Sequence, residues 1–359
     1  MRMRFWGVIG LALACQAAPA QQTVLPSVFL PEAVIEPASS SKEPSALQEP
    51  SVLKDLTPLE LPPAHHAAAE KTSGLLFTGE LLLLTPRQSN LDFALVDGKN
   101  DLIPAGSMQS LHLRTQAGLR TGIAYRTERG WDIGFNYSFF NTSDAYGVTA
   151  PDGGLLYPSL TRPGLINEAR SAYGKATFTM NNFDAVIGRS WEVDEDFWFR
   201  FLGGLRFATM QNAMQATYDG RDAMQAFAQN KSNFSGVGPM FGLEANWNIG
   251  SGFGVFSKAN GGLLSGTQRV QLLETNNGGG TVYTDFHDRY GTVVPFMQLG
   301  LGMEYRYNGV FIRAGYEVTQ YFDVVDRPVF LDDFAEGKLT RRVTNLALDG
   351  LFLQAGFSY

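Results

Sequence analysis

Cysteine is nearly absent from this chain of 359 residues. The single one, Cys15, lies in an amino-terminal segment that reads as removable, which excludes disulfides and thiol chemistry from the mature protein. Long apolar runs are missing too. No later stretch reaches roughly 18 uninterrupted apolar residues, so a helical membrane span is excluded. Histidine is rare, four in all. His65 and His66 form a weak pair in a proline-rich stretch and read as solvated, so no metal site is expected. Charge is scarce at 18%, against about 25% in soluble proteins. The net charge of −7 argues against nucleic acid as a partner. In place of these the chain has 39 Gly, 26 Phe and 13 Tyr. That mixture suits a Gly-rich all-β protein whose surface is not wholly in water.

The first twenty residues read as an export signal. Arg2 and Arg4 precede the short apolar stretch Phe5 to Ala14, and Ala18 to Ala20 form a small-x-small cleavage site before Gln21. "ALAC" around Cys15 is an imperfect lipobox, so a lipid-modified start is the alternative. Residues 21–73 place a proline every few positions among Ser, Glu and Ala. Such a chain stays extended and builds no ladder. It is expected to be a disordered periplasmic tether, with cell-wall contact as its functional reading.

From Gly74 the pattern changes. In "GWDIGFNYSFF", Trp131, Ile133, Phe135, Tyr137 and Phe139 alternate with Asp132, Gly134, Asn136 and Ser138. Period two means a strand with one apolar face. Comparable segments recur near 74–85, 113–126, 130–141, 172–191, 196–210, 232–249, 252–265, 291–307, 309–323 and 343–359. Tight turns at "TERG", "EVDED", "IGSG" and "YNG" alternate with long polar connections, Pro86 to His112, Thr142 to Ser171, Gln211 to Lys231, Thr267 to Tyr290 and Val324 to Arg342. Short turns, long loops and an even strand number define a transmembrane antiparallel up-and-down β-barrel. About ten strands are predicted, within a range of eight to twelve. Closure has a physical cause: lipid offers backbone N–H and C=O groups no partner, so no strand can be left with a free edge.

The two faces follow from the alternation. Leu119, Ile123, Tyr125, Phe197, Phe199, Phe201, Leu299, Leu301, Met303, Tyr305 and Ile312 are predicted to face lipid. Trp131, Tyr137, Trp191, Trp247, Tyr305, Tyr307 and Tyr316 suit interfacial girdles. The predicted lumen lining is Glu80, Arg114, Arg120, Arg126, Asp132, Lys175, Arg200, Arg206, Glu244, Lys258, Glu304, Arg306, Arg313 and Glu317. A charge facing mid-membrane lipid would cost about 2–4 kcal/mol. Two places strain the pattern. Asp349 falls on the apolar phase, and "TMNNFDA" needs a bulge between Met180 and Phe183 if Phe178 and Phe183 are both to face lipid.

The chain ends "LFLQAGFSY", with Leu351, Leu353, Phe357 and Tyr359 on one face. A last strand that seals the ring explains an alternating terminus. It also resembles the insertion signal that barrel-assembly machinery reads in bacterial outer-membrane proteins.

"NFSGVGPMFGLEANWNIGSGFGVFSKANGGLLSG" (Asn233 to Gly266), "FLGGLRFATMQ", "FIRAGYEVTQYF" and "FTGELLLLTP" resemble strands of the Legionella-type major outer membrane protein family of pore-forming barrels. The likeness covers roughly Leu75 to Tyr359. It implies an outer-membrane location and a porin-like role and supplies no catalytic residues. The proline-rich extension departs from that pattern.

Function is therefore expected to be passive diffusion of small solutes or ions through a narrow polar lumen. If the lumen is open, Arg114, Arg120, Arg126, Arg200 and Arg206 would favour anions; the same arginines serve equally well in internal ion pairs. Two other readings stay open. One is a structural or adhesive barrel whose loops bind a surface partner. The other is an omptin-like protease using Asp285, His287 and Asp288 of "DFHD" with Asp144 or Asp152. No enzyme is expected, and no cofactor: "NGGGT" lacks the lysine and following helix of a phosphate loop. "DVVDRPVFLDDF" reads as solvated carboxylates, with a weak calcium site as the alternative. The expected partners are outer-membrane lipid and lipopolysaccharide, the assembly machinery, and small solutes or ions.

Overall fold

The structure, a computed structural model, describes residues 73–99, 103–332, 334 and 337–359. The export signal, Cys15, the proline-rich segment and the His65–His66 pair lie outside the described residues. The strands in chain order are β1 (Gly74–Arg87), β2 (Asp92–Asp97), β3 (Ser107–Ser110), β4 (Gln116–Arg126), β5 (Trp131–Thr149), β6 (Leu155–Pro158), β7 (Ser171–Glu192), β8 (Phe197–Gly220), β9 (Ala223–Gly250), β10 (Phe253–Asn276), β11 (Thr281–Tyr307), β12 (Val310–Phe330) and β13 (Leu339–Ser358). Ten of them close a barrel in the order β1-β13-β12-β11-β10-β9-β8-β7-β5-β4, and β3-β2-β6 form a separate three-stranded sheet. No helix among the described residues is long and apolar enough to cross a membrane; the crossing elements are strands.

The ring seals where the chain's last strand meets its first. The register runs from Leu76 opposite Ser358 to Arg87 opposite Ala347. Leu75 and Tyr359 exchange two backbone hydrogen bonds of 2.9 Å, and the rings of Phe77 and Phe357 stack at 5.1 Å. Leu351, Leu353, Phe357 and Tyr359 all point outward and are exposed. At the end where both chain termini of the barrel lie, the turns are tight. Asn308 (φ 46°) and Gly309 (φ 76°) both take left-handed backbone, the geometry of a two-residue hairpin whose twist matches the strands.

At the other end the strands run on. β8 continues to Gly220 before β9 starts at Ala223, and β10 continues to Asn276 before β11 starts at Thr281. Two of the expected long loops, Gln211 to Lys231 and Thr267 to Tyr290, are therefore mostly strand. Their composition reads as loop because the strands have left the bilayer, and an outward face in water is polar. On β11 the outward side chains run Tyr307, Tyr305, Met303, Leu301, Leu299, Met297 and Val293 before charge begins at Arg289. From Tyr305 to Val293 a tilted strand climbs roughly 30 Å, the thickness of a hydrocarbon core.

The change of environment corrects three expectations. The β5–β7 and β7–β8 registers run unbroken through Met180 and Phe183, so the bulge is absent. Phe178 points inward and is fully buried, while Phe183 points outward and is half exposed. Phe178 can face inward because the extension beyond the bilayer has an apolar interior. Lys175 shares the parity of Phe183 and faces outward, exposed, rather than into the lumen. Arg114 is not a lumen residue either. It precedes the start of β4, its side chain is 69% exposed, and it pairs with Asp144 at 2.9 Å.

Asp349 is indeed on the outward phase. Its carboxylate accepts hydrogen bonds from Arg87 and from the Tyr316 hydroxyl, two outward side chains on the strands beside it. It sits one outward position beyond Leu351, at the edge of the apolar band, where such a cluster can meet water and headgroups.

Candidate pore constriction inside the barrel

Strand alternation sends Glu80, Arg120, Arg206, Lys258 and Glu317 inward, and the ring brings them together from different walls. Arg120 on β4 donates to Glu80 on the adjacent β1 and, past β1 and β13, to Glu317 on β12 at 2.8 Å. Lys258 on β10 reaches the same carboxylate at 2.7 Å. It crosses β11 at Gly300, directly opposite both residues in the register. A Cβ at Gly300 would lie 2.6 Å from Lys258 Cε, so glycine clears the path for that bridge. Gln354 Nε2 donates to Glu80 at 3.2 Å, and Gln298 Nε2 to Glu317 at 3.4 Å. Glu80 and Glu317 are 3% and 1% exposed. Both carboxylates are thus held by charged hydrogen bonds, the arrangement a buried charge requires.

Beside this belt Arg206 makes a two-pronged pair with Asp184, both bonds 2.7 Å. Its guanidinium stacks over Phe296 at 4.4 Å. Asn182 on β7 donates to the Tyr321 hydroxyl on β12 at 3.0 Å, spanning the lumen. A second belt lies nearer the tight-turn end. Arg200 grips Asp132 from Nε at 2.8 Å and pairs with Glu244 at 3.3 Å. It passes over Gly188, where a Cβ would sit 2.7 Å from Arg200 Nε. Glu304 gathers Arg306, Arg313 and the Asn246 amide. Arg126 is inward at the same end, opposite Asp132 in the register.

Twelve of the fourteen residues expected in the lumen therefore face it; Arg114 and Lys175 do not. Asp184, Asn182, Gln298, Gln354 and Tyr321 join them in the lumen. Asp184 directly follows the outward Phe183, so alternation alone already turns it inward. With Asp184 and the other carboxylates paired off, the lumen does not present the bare arginine field that would favour anions.

Above the belts the interior is apolar. Leu82, Leu84, Phe140, Phe178, Leu264, Leu346 and Leu348 are all nearly or fully buried. The β3-β2-β6 sheet and its neighbouring loop add Phe93, Leu111, Leu156 and Ile166 to the same cluster. The Tyr218 hydroxyl donates to the Phe93 carbonyl at 2.6 Å, and Arg327 donates to Ser159 O at 2.8 Å. The β12–β13 hairpin is tied across to β9 and β11. Asp326 N–H donates to Ser232 Oγ at 3.0 Å, and its carboxylate accepts from Arg341 and from Tyr290, each at 2.7 Å. Arg341 also pairs with Asp288 and lies over the Tyr290 ring at 4.0 Å. These contacts cover the mouth.

Glu274, at the far end of β10, has no exposed surface. Burial pushes its carboxyl up to about 7, against the opposing pull of the Arg162 backbone N–H and charge. The N–H bond from Arg162 is 2.8 Å, and Glu274 Oε1 has no hydrogen-bond partner among the described residues.

The "DFHD" residues do not converge. His287 and Asp285 pair at 3.0 Å on the outward, exposed face of β11, while Asp288 has the opposite parity and is held by Arg341. Asp144 is taken up by Arg114 and the His112 N–H. In "DVVDRPVFLDDF", Asp326 is likewise engaged, by Arg341 and Tyr290.

A family model described as the Legionella pneumophila major outer membrane protein precursor matches residues 68–359. No curated protein matches the chain. Among solved structures it is similar to the outer membrane protease OmpT from Escherichia coli, at 7% identity over 80% of this chain and 97% of that one, with a TM-score of 0.45. It is also similar to the Pseudomonas putida toluene transporter TodX, at 10% identity over 80% and 90%, TM-score 0.27. A Pseudomonas aeruginosa FadL homologue aligns at 8% identity over 79% and 90%, TM-score 0.23. Architecture alone assigns no activity.

Proposed function

This chain belongs to the Legionella pneumophila major outer membrane protein family, and from that premise we propose that it is an outer-membrane pore for ions and small solutes, closed in this conformation by its own lumen side chains. Export through the amino-terminal signal into a Gram-negative-type outer membrane goes with this reading.

One observation carries it: the charged belt of Glu80, Arg120, Lys258 and Glu317 at mid-barrel. Buried ion pairs are no more stabilising than well-packed apolar side chains of the same volume, and often less so. The same barrel fills its extension with Leu, Phe and Met, so apolar filling was available at the belt as well. Charges there are better explained by a path that hydrated ions use when the belt parts. Because the charges are matched, the path discriminates weakly between anions and cations. Passage also requires the covered mouth to yield, which makes the Asp326–Arg341–Tyr290 latch part of the gate.

The test is flux from proteoliposomes loaded with salts and sugars of graded size. The pore reading expects slow release of small ions, rising when Arg120→Ala weakens the belt. Release no faster than from protein-free vesicles, for wild type and variant alike, would transfer the assignment to a structural or adhesive barrel.

A further inference from the structure

Lys231 on β9, Arg269 on β10 and Arg289 on β11 form a cluster of basic side chains outside the lumen that make no ion pair among the described residues. Arg269 and Arg289 stand directly opposite one another in the β10–β11 register. Lys231 is opposite Gln271, one diagonal step from Arg269. Like charges so placed repel, and the fold supplies nothing to offset them. The nearest outward carboxylate on β11, Asp285, is occupied by His287 at 3.0 Å.

Their position matters as much as their charge. All three share the outward parity of Val237, Leu263 and Val293, which are exposed lower on the same strands. Arg289 lies four residues beyond Val293, roughly 10 Å above the apolar band for a tilted strand. Directly beneath the two arginines, Thr267 faces Gly291. A Cβ added at Gly291 would meet no atom closer than 3.9 Å, so the wall is recessed there. The arrangement is a small-residue shelf over lipid-facing aliphatics, with two guanidinium forks and an ammonium above it.

We propose that this outward patch binds the phosphorylated headgroup of lipopolysaccharide in the outer leaflet. The acyl chains would lie along Val237, Leu263 and Val293, the sugar on the Thr267–Gly291 shelf, and the phosphates between Arg269 and Arg289. Guanidinium forks match phosphate oxygens in pairs, and an anion between the two arginines removes their repulsion. The site needs only the outer-membrane location and is independent of whether the lumen conducts.

The test is a binding titration of the refolded mature chain in neutral detergent, followed by native mass spectrometry. The ligands are lipid A with both phosphates, the same lipid A enzymatically dephosphorylated, phosphatidylglycerol, and inorganic phosphate. Phosphorylated lipid A is expected to bind most tightly, and Arg269→Gln with Arg289→Gln to weaken it by roughly tenfold or more. Binding of dephosphorylated lipid A should be unchanged. Arg269→Lys with Arg289→Lys should recover part of the loss, and Lys175→Gln, outward on another wall, should have no effect. Heat-modifiable gel mobility reports whether each variant is folded. Equal affinity for the phosphorylated and dephosphorylated forms, equal binding of phosphatidylglycerol or inorganic phosphate, or an unaltered folded double variant would each overturn the proposal.

Discussion

Replacing Glu317 by Gln removes the anion on which the mid-barrel belt turns. The carboxylate loses Arg120 at 2.8 Å and Lys258 at 2.7 Å. Neither cation is then abandoned, because Arg120 still pairs with Glu80 and Lys258 lies 3.9 Å from it. Breaking one side of a buried pair costs about 3–5 kcal/mol, and the remaining Glu80 should hold Glu317→Gln near the lower figure. Adding Lys258→Met removes the surplus positive charge. The double variant is expected to be more stable than the sum of the single losses by about 1 kcal/mol or more. Guanidinium unfolding of the barrel in lipid vesicles reads all four corners of the cycle. A loss well under about 1 kcal/mol for Glu317→Gln, or losses that simply add, would mean that these charges are solvated separately and form no belt.

Three further outcomes follow from other contacts. Gly188→Val puts methyl groups where Arg200 crosses to Asp132; it is expected to cost about 1–3 kcal/mol, and to lose that effect when Arg200→Met is already present. Glu274 is bound to a proton in the folded protein up to about 7 but ionises near 4.3 unfolded. The folded state therefore holds the extra proton between those values, and docking of the Arg162 loop weakens as pH rises from about 4.5 to 7, by about 3 kcal/mol at most. Hydrogen exchange around residues 159–168 should quicken across that window in wild type and stay slow at pH 8 in Glu274→Gln. Arg341→Ala unties the hairpin from Asp326 and Asp288, and should speed exchange in residues 324–330 while leaving the β1–β13 seam protected.

Much of the fold was legible because a bilayer imposes a binary rule. Between the tight turns and the edge of the apolar band, inward meant polar and outward meant apolar, and alternation placed Arg120, Glu317 and Phe357 on the correct faces. Beyond the bilayer the rule inverts, since the inward face becomes an ordinary protein core and the outward face meets water. Phe178 reads as lipid-facing for that reason; that placement turns Lys175, of opposite parity, into the lumen and calls for a bulge before Phe183 that the strand does not have. The loop core of Phe93, Leu111 and Ile166 carries no periodic signal, because irregular chain buries its apolar residues wherever the neighbouring walls permit. Asp349 broke the pattern in sequence and is resolved only by Arg87 and Tyr316, which the ring brings to it from more than thirty residues away. The belt's pairings were equally out of reach: parity shows that Arg120 faces inward, but only the strand order shows that Glu317 waits across the lumen.

The central claim, a sealed ring whose passage is blocked by matched charges, is tested most directly by single-channel recording of the refolded protein in planar bilayers. Wild type should dwell in a closed or low-conductance state. Arg120→Ala combined with Arg341→Ala, which loosens both belt and mouth, should open longer and wider, with a preference for cations. Wild-type channels that are fully open, or a folded double variant that stays silent, would contradict the account.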